Sequence, residues 1–284
     1  MDAVALVKAQ EKLEEPLGKG IALIGGFGTL QSPVLVKPNI CTKRDNTGFS
    51  VTDVKLVEAL IRLLLQESSN LSIRIVESDS QSKWADAAFD KFGYTALADT
   101  LQKEDFDVSC VNLSSEDTKK IPFEGGYFKN PELPEILTRP GYVISVAVAK
   151  THYLTFITGV LKNLFGLLPR KDQGVYHRRI NDVILDLVRL VPPNLCIVDA
   201  RVGVEGWNGP KTRPVETLII GQKPASVDAT MLRVMGFNPE KIRHVVEASK
   251  YNQGSLNPEI LGDQIRQVMV QFEPPHDLDS DATI

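Results

Sequence analysis

The chain has 284 residues, 36 of them acidic and 32 basic, giving a formal charge of −4 and a pI near 5.7; that balance excludes the basic stripe of a nucleic-acid-binding surface. With 43% hydrophobic and 24% charged residues it falls in the globular range rather than the disordered one. At roughly 150 residues per domain, the length suits two domains or one large α/β unit.

Three cysteines, Cys41, Cys110 and Cys196, lie far apart without a CxxC pair. They exclude a disulfide framework, a zinc ribbon and an in-chain iron–sulfur cluster. Residues 1–30 lack the basic and apolar regions of a signal peptide. The most apolar stretch, 142–168, is interrupted by Lys150, His152 and Lys162, so no run spans a bilayer. The expectation is a cytoplasmic protein without a membrane or nucleic-acid partner, with self-association left open.

In chain order, Val4 to Lys8 predicts a strand, and Glu11 to Leu23 a poor helix interrupted by Pro16, Gly18 and Gly20. Val34 to Lys37 is a buried strand. Asp53 suits an N-cap, ahead of a helix striped by Val57, Leu60, Ile61 and Leu64. Leu71 to Val76 is the next strand. Trp84 to Phe92 predicts a helix with Gly93 past its end, Thr95 to Gln102 another, and Val108 to Leu113 a strand. Residues 114–140, with Pro122, Pro131, Pro134 and Pro140, form a polar excursion or hinge between an N-terminal half, 1–113, and a C-terminal half, 141–273.

Tyr142 to Val148 is apolar and β-branched, a central strand buried on both faces. The stripe Ile180, Val183, Ile184, Leu187, Val188 and Val191 marks a helix stopped by Pro192-Pro193. A strand from Leu195 to Ala200, a glycine-rich loop, a strand from Thr217 to Ile220, a helix from Ala225 to Met235 and a further helix beyond Pro239 follow. The acidic segment 274–284 reads as a frayed tail. The alternation predicts an α/β fold with a largely parallel sheet flanked by helices, as one body or two lobes.

Ligands of open α/β sheets sit beyond the strands' carboxyl ends. Here those ends carry Lys37 and Asn39, Glu77, Asp79 and Ser80, Lys150, Thr151 and His152, and Asp199. Lys150, His152 and Lys162 stand in apolar sequence, where an unpaired cation costs several kcal/mol; a bound anion explains their presence. Gly159 opens a helical turn suited to anions. The alternative is that Lys162 snorkels on an amphipathic helix capped by His152. The expected site comprises His152 as general acid–base group with Lys150 and Asp79, and Lys37, Asn39, Lys162, Asn163 and Asp199 as the set that binds substrate or cofactor. Gly203, Gly206 and Gly209 do not match a dinucleotide fingerprint, since Pro210 and a strand replace the required helix; a surface loop is expected. The implied protein is an enzyme with a small anionic substrate or a phosphate-bearing cofactor. The other class is a non-catalytic accessory or carrier for a metal cofactor or a partner protein.

The segments Val34-Leu35-Val36-Lys37-Pro38-Asn39, Lys150-Thr151-His152, Gly159-Val160-Leu161-Lys162-Asn163-Leu164-Phe165-Gly166, Gly203-Val204-Glu205-Gly206 with Gly209-Pro210, and Met235-Gly236-Phe237 resemble the domain-of-unknown-function family 362 over about residues 4–262. Some members append ferredoxin modules, for which the cysteines here are too few. The spacing of His152, Lys162 and His177 also resembles the lactate racemase family. That resemblance implies a nickel-pincer nucleotide held by Lys162, with His177 as metal ligand and His152 as an acid–base residue. The family's Asp-x-Thr-Arg-Pro motif is missing here, and Glu77-Ser78-Asp79-Ser80 stands where its second catalytic histidine falls.

Overall fold

A computed structural model describes residues 2–139 and 141–275. One large sheet runs through it, in the order β11 (Glu259–Gly262), β1 (Ala3–Lys8), β10 (Lys211–Gly221), β9 (Leu195–Glu205), β7 (Tyr142–His152), β2 (Val34–Pro38), β3 (Ile73–Glu77) and β4 (Val108–Asn112). Every neighbouring pair is parallel except the two made by β10, which runs against β1 and β9. The mostly parallel α/β sheet is the one the alternating pattern predicts. It is a single sheet rather than two lobes: β1, from the first half, lies between β10 and β11 from the second.

Helices cover both faces. On one lie α1 (Glu14–Leu23), α2 (Val54–Glu67), α3 (Ala85–Lys91) and α4 (Tyr94–Lys103), packed on a core that includes Val36, Ile75, Val146 and Ile197. On the other lie α5 (Gly159–Asn163), α6 (Ile180–Leu190), α7 (Pro224–Val234) and α8 (Arg243–Lys250), over Leu35, Val76, Ala147 and Val198. Consecutive strand residues thus feed opposite cores, as the two-residue period demands.

Local chemistry explains the boundaries. Asp53, in extended conformation, accepts the Lys55 amide at 2.9 Å and starts α2. Burying a stripe residue such as Leu60 contributes about 1.5–3 kcal/mol. The poor helix expected from Glu11 forms from Glu14, leaving Pro16 in the first turn, where a missing N–H breaks no helical bond. α6 buries Ile180, Val183, Ile184, Leu187 and Val188 and ends before Pro192-Pro193.

The polar excursion forms a small hairpin sheet, β5 (Thr118–Lys120) with β6 (Glu132–Pro134). Its loop docks on α6, because the buried Asp186 carboxylate accepts the amides of Gly126, Tyr127 and Phe128 at 2.7–2.9 Å. Of the expected frayed tail, residues 276–284 lie outside the described residues. No helix among the described residues is long and apolar enough to cross a membrane.

Candidate functional site: a lysine-lined cavity at the carboxyl edge

β7 is longer than its apolar run. It continues through Lys150 to His152 and turns back as β8 (Phe156–Ile157), which pairs His152 with Phe156. Lys150 and His152, two residues apart, therefore share a face, and the Thr151 hydroxyl accepts the Gly206 amide at 2.6 Å. The carboxyl ends of β2, β3 and β7, with α5 and the 3-10 turns Leu164–Leu167 and Gln173–Arg179, enclose a cavity of about 300 Å³. Lys37, Asn39, Lys150, His152, Lys162, Asn163 and His177 all line it, together with Cys41, Glu77, Lys83 and Trp207.

The cavity floor is an ion pair. Lys37 Nζ donates to Glu77 Oε2 at 2.7 Å and to the Pro38 carbonyl at 2.6 Å. Burial pushes the Lys37 amine below its ordinary value, an effect that Glu77 opposes. Lys83 approaches the other oxygen of Glu77 at 3.5 Å and donates to the Ser78 carbonyl. Gly166 lies directly on this pair: a β-carbon there would stand 2.3 Å from Glu77 Oε1 and 2.6 Å from Lys37 Cε. A residue larger than glycine at the end of the Lys-Asn-Leu-Phe-Gly segment has to displace this ion pair.

Lys150 is fully buried, and its ammonium meets Asn39 Oδ1 at 2.7 Å, the Ser50 carbonyl at 2.7 Å and Cys41 Sγ at 3.3 Å. An ammonium has three donors, so all are engaged. Lys150 staples the 39–52 loop to β7 and has no donor left for a ligand. Asn163 is a second internal link. It donates to the Lys37 carbonyl at 2.9 Å and Ser145 Oγ at 3.1 Å, and accepts from Asn39 Nδ2 at 3.1 Å.

Lys162 and His152 remain open to the cavity. The half-buried Lys162 makes no hydrogen bond or ion pair with a described residue; its ammonium lies 5.4 Å from the centre of the Phe165 ring. Burial, then neighbouring Lys150, pushes its pKa down to about 8. His152 Nδ1 accepts the Leu154 amide at 3.1 Å, which places the proton of the neutral ring on Nε2. Burial first, then Lys162 and Lys150, lowers its pKa well below 6.5. At neutral pH His152 is an N–H donor with its basic nitrogen already occupied, so the acid–base role expected of it does not fit its resting state. His177 is exposed at the rim, with its ring centre 6.4 Å from that of Phe165. It sits in the 3-10 turn before α6 rather than in the helix itself.

The amino end of α5 is occupied by the protein's own anion. Asp228 Oδ1 accepts the Val160 amide at 2.7 Å and Oδ2 the Leu161 amide at 3.0 Å. Gly159 adopts φ +59°, and a β-carbon there would meet Asp228 at 2.4 Å. The helical turn expected to receive a ligand therefore receives Asp228. Burial raises the pKa of this carboxyl to about 7 against the opposing effect of the two amides.

Two sequence-selected carboxylates lie elsewhere. Asp79 accepts the Ala85 amide at 2.8 Å and Asn112 Nδ2 at 3.2 Å, joining the start of α3 to β4. Asp199 is not at a strand end, because β9 continues to Glu205. Its side chain points to the opposite face, bound to Arg201 at 2.7 Å, and lines a separate cleft of about 1230 Å³ with Asp53 and Arg201. Lys83 was not selected from sequence. Lys83 follows an ordinary polar loop, and Trp207 reaches the cavity only because the β9–β10 hairpin folds back over it. The tip of that hairpin, Gly206 to Pro210, is the expected loop without a following helix; Gly203 to Glu205 belong to β9. Its Trp207 carbonyl accepts Cys41 Sγ at 3.5 Å, and Asn208 exchanges hydrogen bonds with Asn46 and Arg44.

These residues offer a metal one imidazole at the rim. Among the described residues no group of three or more His, Cys, Asp or Glu can hold an ion. The donor set does not fit a metal held by protein ligands.

The fold and site define an α/β protein with a cation-lined cavity at the carboxyl edge of a mostly parallel sheet. The chain belongs to the family described as Domain of unknown function (DUF362), whose model matches residues 34–233 and so contains every cavity residue named above. A thylakoid-associated protein of Synechocystis sp., sll1697, is 24% identical over 255 residues, covering 85% of this chain and 73% of that protein.

Proposed function

We propose that the chain is an enzyme acting on a small anionic molecule bound between Lys162 and His152. The observation that carries the reading is that the Lys162 ammonium, without a polar partner among the described residues, and the Nε2–H of neutral His152 face one cavity, in which Lys37, Glu77, Lys83, Lys150, Asn39 and Asn163 are engaged within the protein. A lysine close to neutrality exchanges protons readily, so Lys162 is the acid–base group in this reading. The neutral His152 N–H polarises an oxygen of the substrate, as a histidine with a lowered pKa can. Lys37, Lys150, Asn39 and Asn163 hold the walls in place. A second reading, a binding or carrier protein, is favoured by the engagement of His152 Nδ1, which leaves the site with a single titrating partner for chemistry.

Incubation with a fractionated metabolite extract, followed by mass spectrometry, tests both. Wild type should retain or convert an anionic metabolite that Lys162→Gln does not. Conversion supports the enzyme, retention without conversion supports the carrier, and indifference to every anion removes both. The same reading places the protein in the cytoplasm, in keeping with its three free thiols. The Synechocystis relative is a thylakoid-associated protein, so fractionation with membranes is the competing outcome.

A further inference from the structure

Among the described residues four ammonium groups line the cavity, those of Lys37, Lys83, Lys150 and Lys162, against a single carboxylate, that of Glu77. Glu77 is shared between Lys37 and Lys83, so its one charge is spent on two neighbours. Lys150 has only neutral partners, and Lys162 has none among the described residues. The remaining lining groups are amides, hydroxyls, a thiol, aromatic rings and the two histidines, of which His152 carries no charge in its resting form. Three positive charges are thus left without a counter-charge. Solvent cannot supply it evenly, since Lys37, Lys83 and Lys150 are 1%, 4% and 0% exposed. Buried cations in this condition cost several kcal/mol each unless an anion joins them.

A monoanion would leave two of the three charges unbalanced; a trianion would balance them. We infer that the ligand of this cavity is a small polyanion with two or three negative charges, a di- or tricarboxylate or a phosphate ester, and that monocarboxylates such as lactate are discriminated against. Size sets the second limit. A cavity of about 300 Å³ has room for about ten water-sized groups, which admits citrate or a short sugar phosphate and excludes a dinucleotide. The inference rests on the anion-binding reading of the same cavity and adds the charge and size of what enters it.

Calorimetric titration with acetate, succinate, citrate and inorganic phosphate, at matched ionic strength and pH, tests it. The expected dissociation constants fall by about tenfold or more per added charge from acetate to citrate, with phosphate beside succinate. Lys162→Gln should weaken citrate binding by about tenfold or more. Equal affinity for acetate and citrate would overturn the charge requirement while leaving an anion site in place. Citrate binding that ignores Lys162→Gln in a folded variant would put the anion elsewhere and overturn it too. If none of the four probes binds, the anion-binding reading itself fails. Should Lys162→Gln not fold, the wild-type series across the four anions still decides the charge requirement.

Discussion

Asp228 on α7 accepts the Val160 amide at 2.7 Å and so closes the amino end of α5, the helical turn that carries Lys162 and Asn163. The carboxyl is fully buried and its pKa stands at about 7, against about 3.9 in an unfolded chain. The folded state therefore binds the proton more tightly. Its contribution to stability is complete below about pH 4, declines as pH rises, and is lost above about pH 7. The difference in unfolding free energy between wild type and Asp228→Asn should accordingly fall between about pH 4 and pH 7. Urea denaturation of both proteins across that range checks it; a difference that grows with pH would contradict the assignment.

Lys37, Glu77 and Gly166 form one packed unit from β2, β3 and the turn after α5. Glu77→Gln leaves two buried ammonium groups without their shared carboxylate and should cost about 3–5 kcal/mol. Gly166→Ala forces a methyl group against the pair and should cost about 1–3 kcal/mol. Chemical denaturation gives both values. A neutral result for Gly166→Ala would mean that the ion pair has room to shift.

How much of this was legible in the sequence follows from where the residues sit. Period-two and period-3.6 patterning locates the strands and helices, and the parallel sheet follows from their alternation. Lys37, Asn39, Lys150, His152, Lys162 and Asn163 stand out because polar groups interrupt apolar sequence, and the sheet edge brings them together. Asp199 was misplaced because β9 appears to end where its apolar run ends; pairing with β10 extends it to Glu205, and alternation turns Asp199 to the far face. Which donors are already spent cannot be read from residue type. Lys150 and Lys162 look alike in the sequence, yet one is saturated by the 39–52 loop and the other is open. Gly159 marks an anion-receptive turn correctly, but the anion comes from Asp228, 69 positions later.

The Lys150 staple makes its own prediction. Without it, the 39–52 loop keeps its internal bonds, in which Asp45 accepts the amides of Thr47, Gly48, Ser50 and Val51 at 2.9–3.1 Å, and the bond from Thr52 Oγ1 to the Val146 carbonyl of β7 at 2.8 Å, but loses the tie from Lys150 to Asn39 and Ser50. Lys150→Met should therefore speed amide hydrogen exchange across the loop and at the hairpin tip that Asn208 joins to it, while the α6 amides stay protected. Uniformly faster exchange would indicate a global loss of stability instead.

His152 should resist protonation. Burial and the lysines around it favour the neutral ring, and the Leu154 amide holds the proton on Nε2. Nitrogen-15 shifts of the ring should report the Nε2–H tautomer from about pH 8 down to below about pH 6, where an ordinary histidine is already mostly charged. A titration midpoint near 6.5 would show that neither burial nor the lysines act on it.

Lys162 should be more reactive near neutrality than the exposed lysines of the protein. Its pKa of about 8 leaves roughly a tenth of it unprotonated at pH 7, against less than a thousandth for a lysine near 10.4. Only the neutral amine attacks an acylating reagent, so brief exposure to limiting acetic anhydride at pH 7 should modify Lys162 ahead of exposed lysines such as Lys12 and Lys43. Access works against this, because Lys162 is half-buried, whereas a reagent of acetyl size fits a cavity of about 300 Å³. A polyanion bound beside it stabilises the charged form, and saturating citrate should therefore slow the modification of Lys162 while leaving Lys12 and Lys43 unchanged. Peptide mapping by mass spectrometry reads each site separately. Modification of Lys162 at the rate of the surface lysines, with no protection by citrate, would mean that its amine is neither depressed by burial nor placed where an anion meets it.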